Sequence, residues 1–386
     1  MRFHFAPGRI ADIILPAMNQ LMLHEFHHGL GARFTELNGA SVVGDYGDWP
    51  AEHTALRASA GVLDLSFRSR ICLVGNDRAR FLHGQVTNDV KRLRTGEGCY
   101  SAITTAKGKM EGDLNIFCLA EELLLDFEPG LTAKITERLE KFIVADDVQI
   151  VDAAPHYGLL SVQGPKAAEV VRAIGLFAEL PVKALASVKF SDATLGDIYL
   201  MNHARLGGDP AHQNGFDLFV PNQSLGAVAD KLIAAAKQAG GCAAGWTAFE
   251  TARIEAGIPR FGADMDETNI PLECGIESRA IVYNKGCYIG QETINRIHSI
   301  GHVTRELRGL RLADDLKTLP ARGDKLFHAG KEVGYVTSAV KSPALNANIA
   351  LGYVRREANQ IGNELVLKTA AGESGAKVVD LTIFKK

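Results

Sequence analysis

The sequence lacks a long uninterrupted hydrophobic run, and this absence argues against a membrane-spanning helix. An early apolar stretch, residues 10–18, is broken by Asp12 and Pro16 and has no convincing small-residue cleavage site, so it predicts no secretory leader. Charge of one sign is also lacking, because 42 lysines and arginines oppose 45 aspartates and glutamates. We therefore expect no membrane contact and no direct, charge-driven binding of nucleic acid.

Paired cysteines are missing as well. The six cysteines show no C-x-x-C spacing, and a disulfide framework is unusual in a chain of 386 residues. This pattern predicts free thiols in a reducing compartment, and hence a cytoplasmic protein. The cysteines are Cys72, Cys99, Cys118, Cys242, Cys274 and Cys287.

The common nucleotide and hydrolase signatures are absent too. Neither G-x-x-x-x-G-K-[ST] nor G-x-S-x-G occurs, which argues against P-loop phosphoryl transfer and α/β-hydrolase chemistry. Residues 24–28, H-E-F-H-H, match the zinc motif H-E-x-x-H, but the glycines Gly29 and Gly31 would end that helix and no third ligand is evident. We predict no metal site there, and interpret the segment as an amphipathic helix with solvent-facing histidines.

The chain is instead rich in glycine, with 39 residues, and in short strand-like runs. Between residues 70 and 151 such runs alternate with helical patterns. The pattern restarts at residue 158, with a helix that opens at Gly164 and Pro165 and a further helix over residues 225–238. Paired strands joined by short turns favour antiparallel or mixed sheets, which predicts two α+β units. After about residue 300, six strand-like runs separated by turns predict a small all-β barrel or sandwich.

The most informative stretch runs from Arg253 to Glu292. It mixes polar, apolar and glycine residues without a period of two or 3.6, which predicts an ordered loop, a common location of functional residues. Lys285 precedes Cys287 across one glycine, and a nearby ammonium favours the thiolate. Cys287 is therefore the best candidate for a reactive thiol. The alternative is a buried, inert Cys287 beside a Lys285 that pairs with Glu292.

Residues 285–292, K-G-C-Y-I-G-Q-E, resemble the K-G-C-[FY]-x-G-Q-E signature of the YgfZ family of folate-binding proteins. Residues 81–89, F-L-H-G-Q-V-T-N-D, resemble that family's F-L-x-G-Q-x-T-N-D segment, and residues 162–166 resemble its Q-G-P-[KR] turn. R-I-E-A-G at 253–257 and N-I-P at 269–271 are similar to the family's R-[IL]-E-A-G segment and the [TN]-x-P segment that follows it. The YgfZ family supports iron–sulfur enzymes and tRNA modification, and it shares a superfamily with the glycine-cleavage T-protein, an aminomethyltransferase.

The resemblance runs from about residue 23 to the C-terminus and implies an α+β fold arranged as a three-lobed ring. Two interleaved α+β subdomains would occupy residues 23–295 and an all-β barrel residues 300–386, behind an N-terminal extension of residues 1–22. The centre of the ring would bind tetrahydrofolate or a derivative. Beyond folate, the implied partners are iron–sulfur enzymes or assembly proteins.

The resemblance also implies a set of site residues. Tyr100 and Asp113 match the family's tyrosine and aspartate, Phe117 matches a pocket aromatic, and Asp217 stands where the T-protein has glutamate. Such residues suit folate, because a carboxylate can accept paired N–H donors of a pterin and the aminobenzoyl ring needs an apolar slot. The implied catalytic residues are Cys287, its activator Lys285, and Asp113 for one-carbon transfer. The remaining motif residues are Gly286, Tyr288, Gly290, Gln291 and Glu292.

Two departures from the T-protein pattern bear on function. Phe249 stands where the T-protein has a folate-binding arginine, and residues 207–215 replace its Y-T-G-E-D-G loop, although residues 23–66 look more like the T-protein. We therefore predict a tetrahydrofolate-binding protein that supports iron–sulfur cluster assembly or repair and, through such enzymes, tRNA modification. The alternatives are a folate-dependent aminomethyltransferase or demethylase, which leaves the enzyme question open, and a binding module that has lost its ligand.

Overall fold

The computed structural model describes residues 20–207 and 214–383, in which strands form a hairpin, two open sheets and a closed barrel. The helices are α1 (His24–Gly29), α2 (Trp49–Ala58), α3 (Arg78–Gln85), α4 (Thr132–Glu140), α5 (Ala167–Ala173), α6 (Leu225–Gln238), α7 (Trp246–Glu255), α8 (Glu277–Ala280) and α9 (Gln291–Ser299). The first strands are β1 (Arg33–Leu37), β2 (Ala40–Asp45), β3 (Gly61–Asp64), β4 (Ser69–Val74), β5 (Gly98–Thr104), β6 (Met110–Cys118), β7 (Glu122–Phe127), β8 (Gln149–Asp152) and β9 (Tyr157–Gln163). The others are β10 (Ser187–Asp192), β11 (Gly196–Asn202), β12 (Gly215–Pro221), β13 (Cys242–Ala243), β14 (Arg305–Leu312), β15 (Lys325–His328), β16 (Lys331–Ser342), β17 (Ala347–Arg355), β18 (Glu364–Thr369) and β19 (Gly372–Val379).

The first sheet has the strand order β5-β6-β7-β4-β8, and all its neighbouring strands are antiparallel, as the turn pattern predicts. Its core face pairs Ile71 of β4 with Leu125 of β7, both fully buried. Helices α3 and α4 cover this face with Phe81 and Leu139. Each such aliphatic or aromatic side chain contributes about 1.5–3 kcal/mol when it leaves water, so this face holds the sheet together.

The second sheet has the order β10-β11-β12-β9-β3-β13 and is antiparallel except for the β3–β13 pair. Strand β3 precedes the whole first sheet in the chain, yet it pairs with β9 of the second. Helix α6, whose predicted bounds match the structure, packs Leu225, Val228 and Leu232 onto this sheet. The two α+β units are therefore interleaved in the chain, because β3 of the second sheet comes before every strand of the first.

The third lobe is a closed barrel with the order β14-β17-β16-β15-β18-β19, which confirms the predicted all-β unit and selects the barrel over the sandwich. Closure leaves no exposed strand edge. The β16–β17 register shifts between Val336 and Ser338. A bulge of this kind re-aims side chains, and here both Thr337 and Ser338 donate to one carboxylate of the neighbouring lobe, that of Asp264.

Several local predictions are wrong. Helix α5 begins at Ala167 and not at Pro165, because the Lys166 N–H donates to the Ser59 carbonyl instead of a helical turn. The stretch 253–292 is not loop throughout, since α7 ends at Glu255 and α9 contains Gln291 and Glu292. The hairpin β1–β2 was not predicted, although its Asn38-Gly39 turn is a typical hairpin signal.

The histidines of α1 do not all face solvent, so that prediction is also wrong. His27 is buried, with Nε2 2.9 Å from Asp64 Oδ2 and Nδ1 2.8 Å from the Tyr46 hydroxyl. Among the described residues no group of three or more His, Cys, Asp or Glu side chains could hold a metal ion. In the same part of the chain, no helix has the length and apolarity needed to cross a bilayer. Of the predicted N-terminal extension, residues 1–19 lie outside the described residues.

Candidate functional site

A cavity of about 980 Å³ lies where the two α+β units meet α7 and the chain that follows the barrel. Its wall includes Tyr100 and Asp113 from the first sheet and residues 202–207 from the second unit. The other residues that bear on its chemistry are Arg57, Arg68, Glu128, Trp246, Phe249, Arg253, Arg260 and Arg279. The cavity has the volume of a typical cofactor site, and charged groups of both signs line it.

Tyr100 and Asp113 meet in this cavity because of strand register. Asp113 of β6 lies opposite Ala102 of β5, two residues from Tyr100 and on the same face. The Tyr100 hydroxyl donates to Asp113 Oδ2 at 2.8 Å, while Asp113 Oδ1 is buried and accepts no hydrogen bond from the described residues. Burial, with the nearby charge of Glu128, raises the pKa of Asp113 to about 6, against the lowering effect of the Tyr100 hydrogen bond. Asp113 can therefore take up or release a proton near neutral pH.

Asp217 and Phe117 lie behind the wall of the cavity, so the predicted direct contact with a ligand differs from the observed arrangement. The Asp217 carboxylate is buried and accepts from His203 Nδ1 at 2.8 Å and from Arg205 Nε at 3.0 Å. Phe117 is buried against His203, with ring centroids 6.4 Å apart. His203 and Arg205 present the surface that faces the cavity.

A buried chain of ion pairs surrounds the cavity. Arg68 donates to Asp126 at 2.8 Å and to Glu128 at 2.7 Å, and Arg260 reaches Glu128 at 2.9 Å. Burial favours a higher pKa for Glu128, but the charges of Arg68 and Arg260 hold it below its usual value. Arg205 joins Asp126 at 2.8 Å. No sequence motif marks these arginines, because their partners come from distant parts of the chain.

The structure does not bring the Lys285 ammonium to the Cys287 thiol. Lys285 is buried, and its Nζ donates to the carbonyl oxygens of His83, Val86 and Asn88 at 2.6, 2.7 and 2.8 Å. Since an ammonium has three donors, none is left for Cys287 or for Glu292. Burial lowers the pKa of Lys285 to about 8. Lys285 therefore joins the segment 285–292 to the segment 81–89.

Cys287 itself is exposed, so the alternative of a buried, inert thiol is wrong. The other five cysteines are half-buried or buried, and burial raises the pKa of Cys274 to about 12. The Cys287 loop is held by its neighbours. Tyr288 is buried with its ring 4.8 Å from Lys285 Nζ, and Gly286 lies against the His83 ring.

Gly290 ends this loop in a left-handed conformation with φ of +91°. A side chain there would strain the backbone, and its Cβ would lie 2.5 Å from the Thr105 carbonyl oxygen. Thr104 fixes the same segment by donating to the Ile289 carbonyl at 2.7 Å. Gln291 and the exposed Glu292 then open α9. Residues 285–292 are thus held by contacts along their length and expose the Cys287 thiol.

Lys285→Met should lower the free energy of unfolding by about 2 kcal/mol, because three buried carbonyl groups lose their hydrogen-bond partner. Chemical denaturation measures this loss, with Lys91→Met, an exposed lysine, as the matched control. The rate of Cys287 alkylation by iodoacetamide should stay unchanged in the folded variant. Unchanged stability together with slower alkylation would instead restore Lys285 as the activator.

Both parts of the chain match families of known proteins. Residues 23–285 match the GCVT N-terminal domain, and residues 305–385 match the glycine cleavage T-protein C-terminal barrel domain. The chain belongs to the glycine-cleavage T-protein family. This membership and the three-lobed structure confirm the predicted fold class, two α+β units with a C-terminal barrel.

Relatives within the T-protein family cover nearly the whole chain. An aminomethyltransferase of Mycolicibacterium paratuberculosis is 30% identical over 361 residues, 92% of this chain and 94% of that protein. One of Shouchella clausii is 26% identical over 364 residues, 94% of this chain and 97% of that protein. The crystal structure of glycine cleavage system aminomethyltransferase T from Bartonella henselae superposes with a TM-score of 0.83 at 24% identity, over 95% of this chain and 98% of that one. All three of these relatives are named aminomethyltransferases, so the function predicted from the YgfZ resemblance stays a prediction.

Proposed function

We propose that the chain binds tetrahydrofolate or a derivative in the central cavity and catalyses the transfer of a one-carbon unit to it from an aminomethyl donor. Asp113 carries this proposal. Its Oδ1 is buried at the cavity wall without a hydrogen bond from the described residues, and its pKa is about 6. An N–H donor of a bound folate is the partner that this oxygen lacks. The aminomethyltransferase names of the relatives support the same assignment.

Asp113 would act as the proton carrier of the reaction. Bound tetrahydrofolate supplies the two amine nitrogens that accept the one-carbon unit. The Asp113 carboxylate accepts a proton from one of these amines and delivers it to the amine that leaves the donor. For a donor X–CH2–NH3+, the methylene carbon would lose its bonds to X and to nitrogen and gain bonds to the two folate amines. The two protons lost by these amines would end on X–H and on ammonium, so the exchange balances without an oxidant. Tyr100 holds Asp113 in position through its hydrogen bond.

Arg279 offers a replacement for the arginine that Phe249 displaces. Its guanidinium lies 5.1 Å from the Tyr100 ring at the cavity wall, and no carboxylate of the described residues pairs with it. The carboxylates of a glutamyl tail would fit this exposed cation. Residues 208–213 of the altered loop lie outside the described residues.

Calorimetric titration with tetrahydrofolate and an assay of methylene-tetrahydrofolate formation from an aminomethyl donor test the proposal together. We expect saturable binding and turnover. Binding without turnover would favour the accessory function, and the absence of both would contradict any folate function.

An accessory function in iron–sulfur cluster assembly or repair, and through such enzymes in tRNA modification, is a second candidate. One observation favours it: of the six free cysteines, Cys287 in the segment 285–292 is the exposed one. Its partners would be iron–sulfur enzymes or assembly proteins. Free thiols throughout also support a reducing, cytoplasmic location.

Cys287→Ala should reduce the activity of iron–sulfur enzymes such as aconitase several-fold in cells that depend on this protein. The thermal midpoint and the affinity for tetrahydrofolate should not change, because Cys287 is exposed and lies outside the cavity wall. Cys242→Ala, a half-buried cysteine elsewhere, is the matched control. Full enzyme activity with the Cys287 variant would exclude a role for this thiol.

A further inference from the structure

A second cavity, of about 740 Å³, lies between the two α+β units and shares no lining residue with the central cavity. It continues into a third, of about 690 Å³, through Glu122, Tyr157 and Tyr199, which line both. We call this continuous space the Glu122 cleft. Its apolar wall is formed by Cys72, Leu124 and Phe219.

Glu122 is the unusual feature of the cleft. It opens β7 opposite Val74 and is only 5% exposed. Within residues 20–207 and 214–383, no side chain forms a hydrogen bond or ion pair with its carboxylate. Burial and the neighbouring charge of Glu121 raise its pKa. A carboxylate on a residue this little exposed is poorly solvated, so the cleft suits a ligand that brings a cation to it.

The arginine and lysine side chains that line the cleft are already engaged. Arg78 donates to the Gly75 carbonyl at 2.7 Å, and Arg70 donates to the Tyr157 carbonyl at 2.9 Å. Lys189 pairs with Asp197 at 2.7 Å. None of these three forms the ion pair that Glu122 lacks.

Aromatic rings complete a site for an ammonium group. The Tyr157 and Tyr199 rings lie side by side, with centroids 6.3 Å apart. The Lys189 ammonium is already 5.7 Å from the Tyr199 centroid, so a face of that ring accepts a cation in this protein. A ligand with an ammonium group on an alkyl chain could therefore contact Glu122 while its carbon chain lies on the tyrosine rings.

We propose that the Glu122 cleft binds an alkylammonium ligand, for which a diamine serves as the probe, independently of folate in the central cavity. Titration of the full chain with 1,4-diaminobutane and spermidine should show saturable binding. 1,4-Butanediol, which has the same length without charge, should not bind. Glu122→Gln should weaken diamine binding by about tenfold or more, and Tyr199→Leu by about threefold.

Two controls separate the cleft from general charge effects. Glu364→Gln, which removes an exposed carboxylate of the barrel, should leave diamine binding unchanged. The affinity of Glu122→Gln for tetrahydrofolate should equal that of the unmodified chain, and this also verifies that the variant is folded. Diamine binding that survives in both Glu122→Gln and Tyr199→Leu, or no binding up to about 10 mM, would overturn the proposal.

Discussion

Asp113→Asn should lower the rate of one-carbon transfer by about 10²–10⁴-fold, the usual contribution of a positioned acid or base. The amide keeps the size of the carboxyl group and can still accept the Tyr100 hydrogen bond, but it cannot take up a proton. We therefore expect the fold to persist and tetrahydrofolate affinity to fall far less than turnover. Calorimetry and the methylene-tetrahydrofolate assay on the same preparation measure both quantities.

The pH dependence provides the control for this variant. Because the carboxylate form accepts the proton and the pKa of Asp113 is about 6, the rate should fall below about pH 6 and level off above it. The Tyr100 hydrogen bond lowers that pKa, so Tyr100→Phe should move the acid limb to higher pH while activity at high pH is largely kept. An unmoved acid limb in Tyr100→Phe, with full activity in Asp113→Asn, would remove Asp113 from the reaction.

The sequence predicts those parts of the fold that depend on local signals. The barrel strands alternate and are separated by turn residues, and α6 has a clear apolar face, so both are found with nearly correct bounds. Strands β3 and β13 are short and almost wholly apolar or small. Their pairing arises from tertiary contacts with β9 and with each other, which no periodicity records.

The candidate site divides in the same way. The pairing of Tyr100 with Asp113 follows from their spacing across one hairpin, which is a local property of the sequence. The Asp217 carboxylate pairs instead with His203 and Arg205, which follow β11 in the same unit, and Arg205 in turn pairs with Asp126 of the first sheet. The sequence therefore marks the carboxylate but does not show which cationic side chains pair with it.

The contact between α7 and the barrel is a second case in which the sequence shows a motif but not the interactions that its residues make. Arg253 of the R-I-E-A-G segment is 2% exposed and donates to Asp264, to Glu250 and to Ser338 of β16 at 3.0 Å. Asp264 also accepts from Thr337 at 2.6 Å and Ser338 at 2.7 Å. The segment after the barrel contributes to the central cavity, because Thr382, in the chain that follows β19, lines it.

Arg253→Met should therefore lower the free energy of unfolding by about 3–5 kcal/mol, since it leaves the Asp264 carboxylate buried without its cation. Although burial alone would raise it, Arg253 and the two hydroxyl donors hold the pKa of Asp264 below its usual value. This depressed pKa stabilises the fold above the unfolded pKa of an aspartate, and the contribution is lost as pH falls through the folded pKa. Without Arg253, the pH dependence of stability on the acid side should become weaker.

Urea denaturation at pH 7 and at about pH 3, below the usual aspartate pKa of about 4, measures both effects, with Arg311→Met as the matched control. Arg311 forms an exposed pair with Asp314 at 3.2 Å, and such pairs contribute at most about 1 kcal/mol. The double variant Arg253→Met with Asp264→Leu should regain part of the lost stability, because the unpaired charge is then absent. If Arg253→Met costs no more than Arg311→Met, the buried pair does not hold the barrel against α7, and apolar contacts alone must position the third lobe.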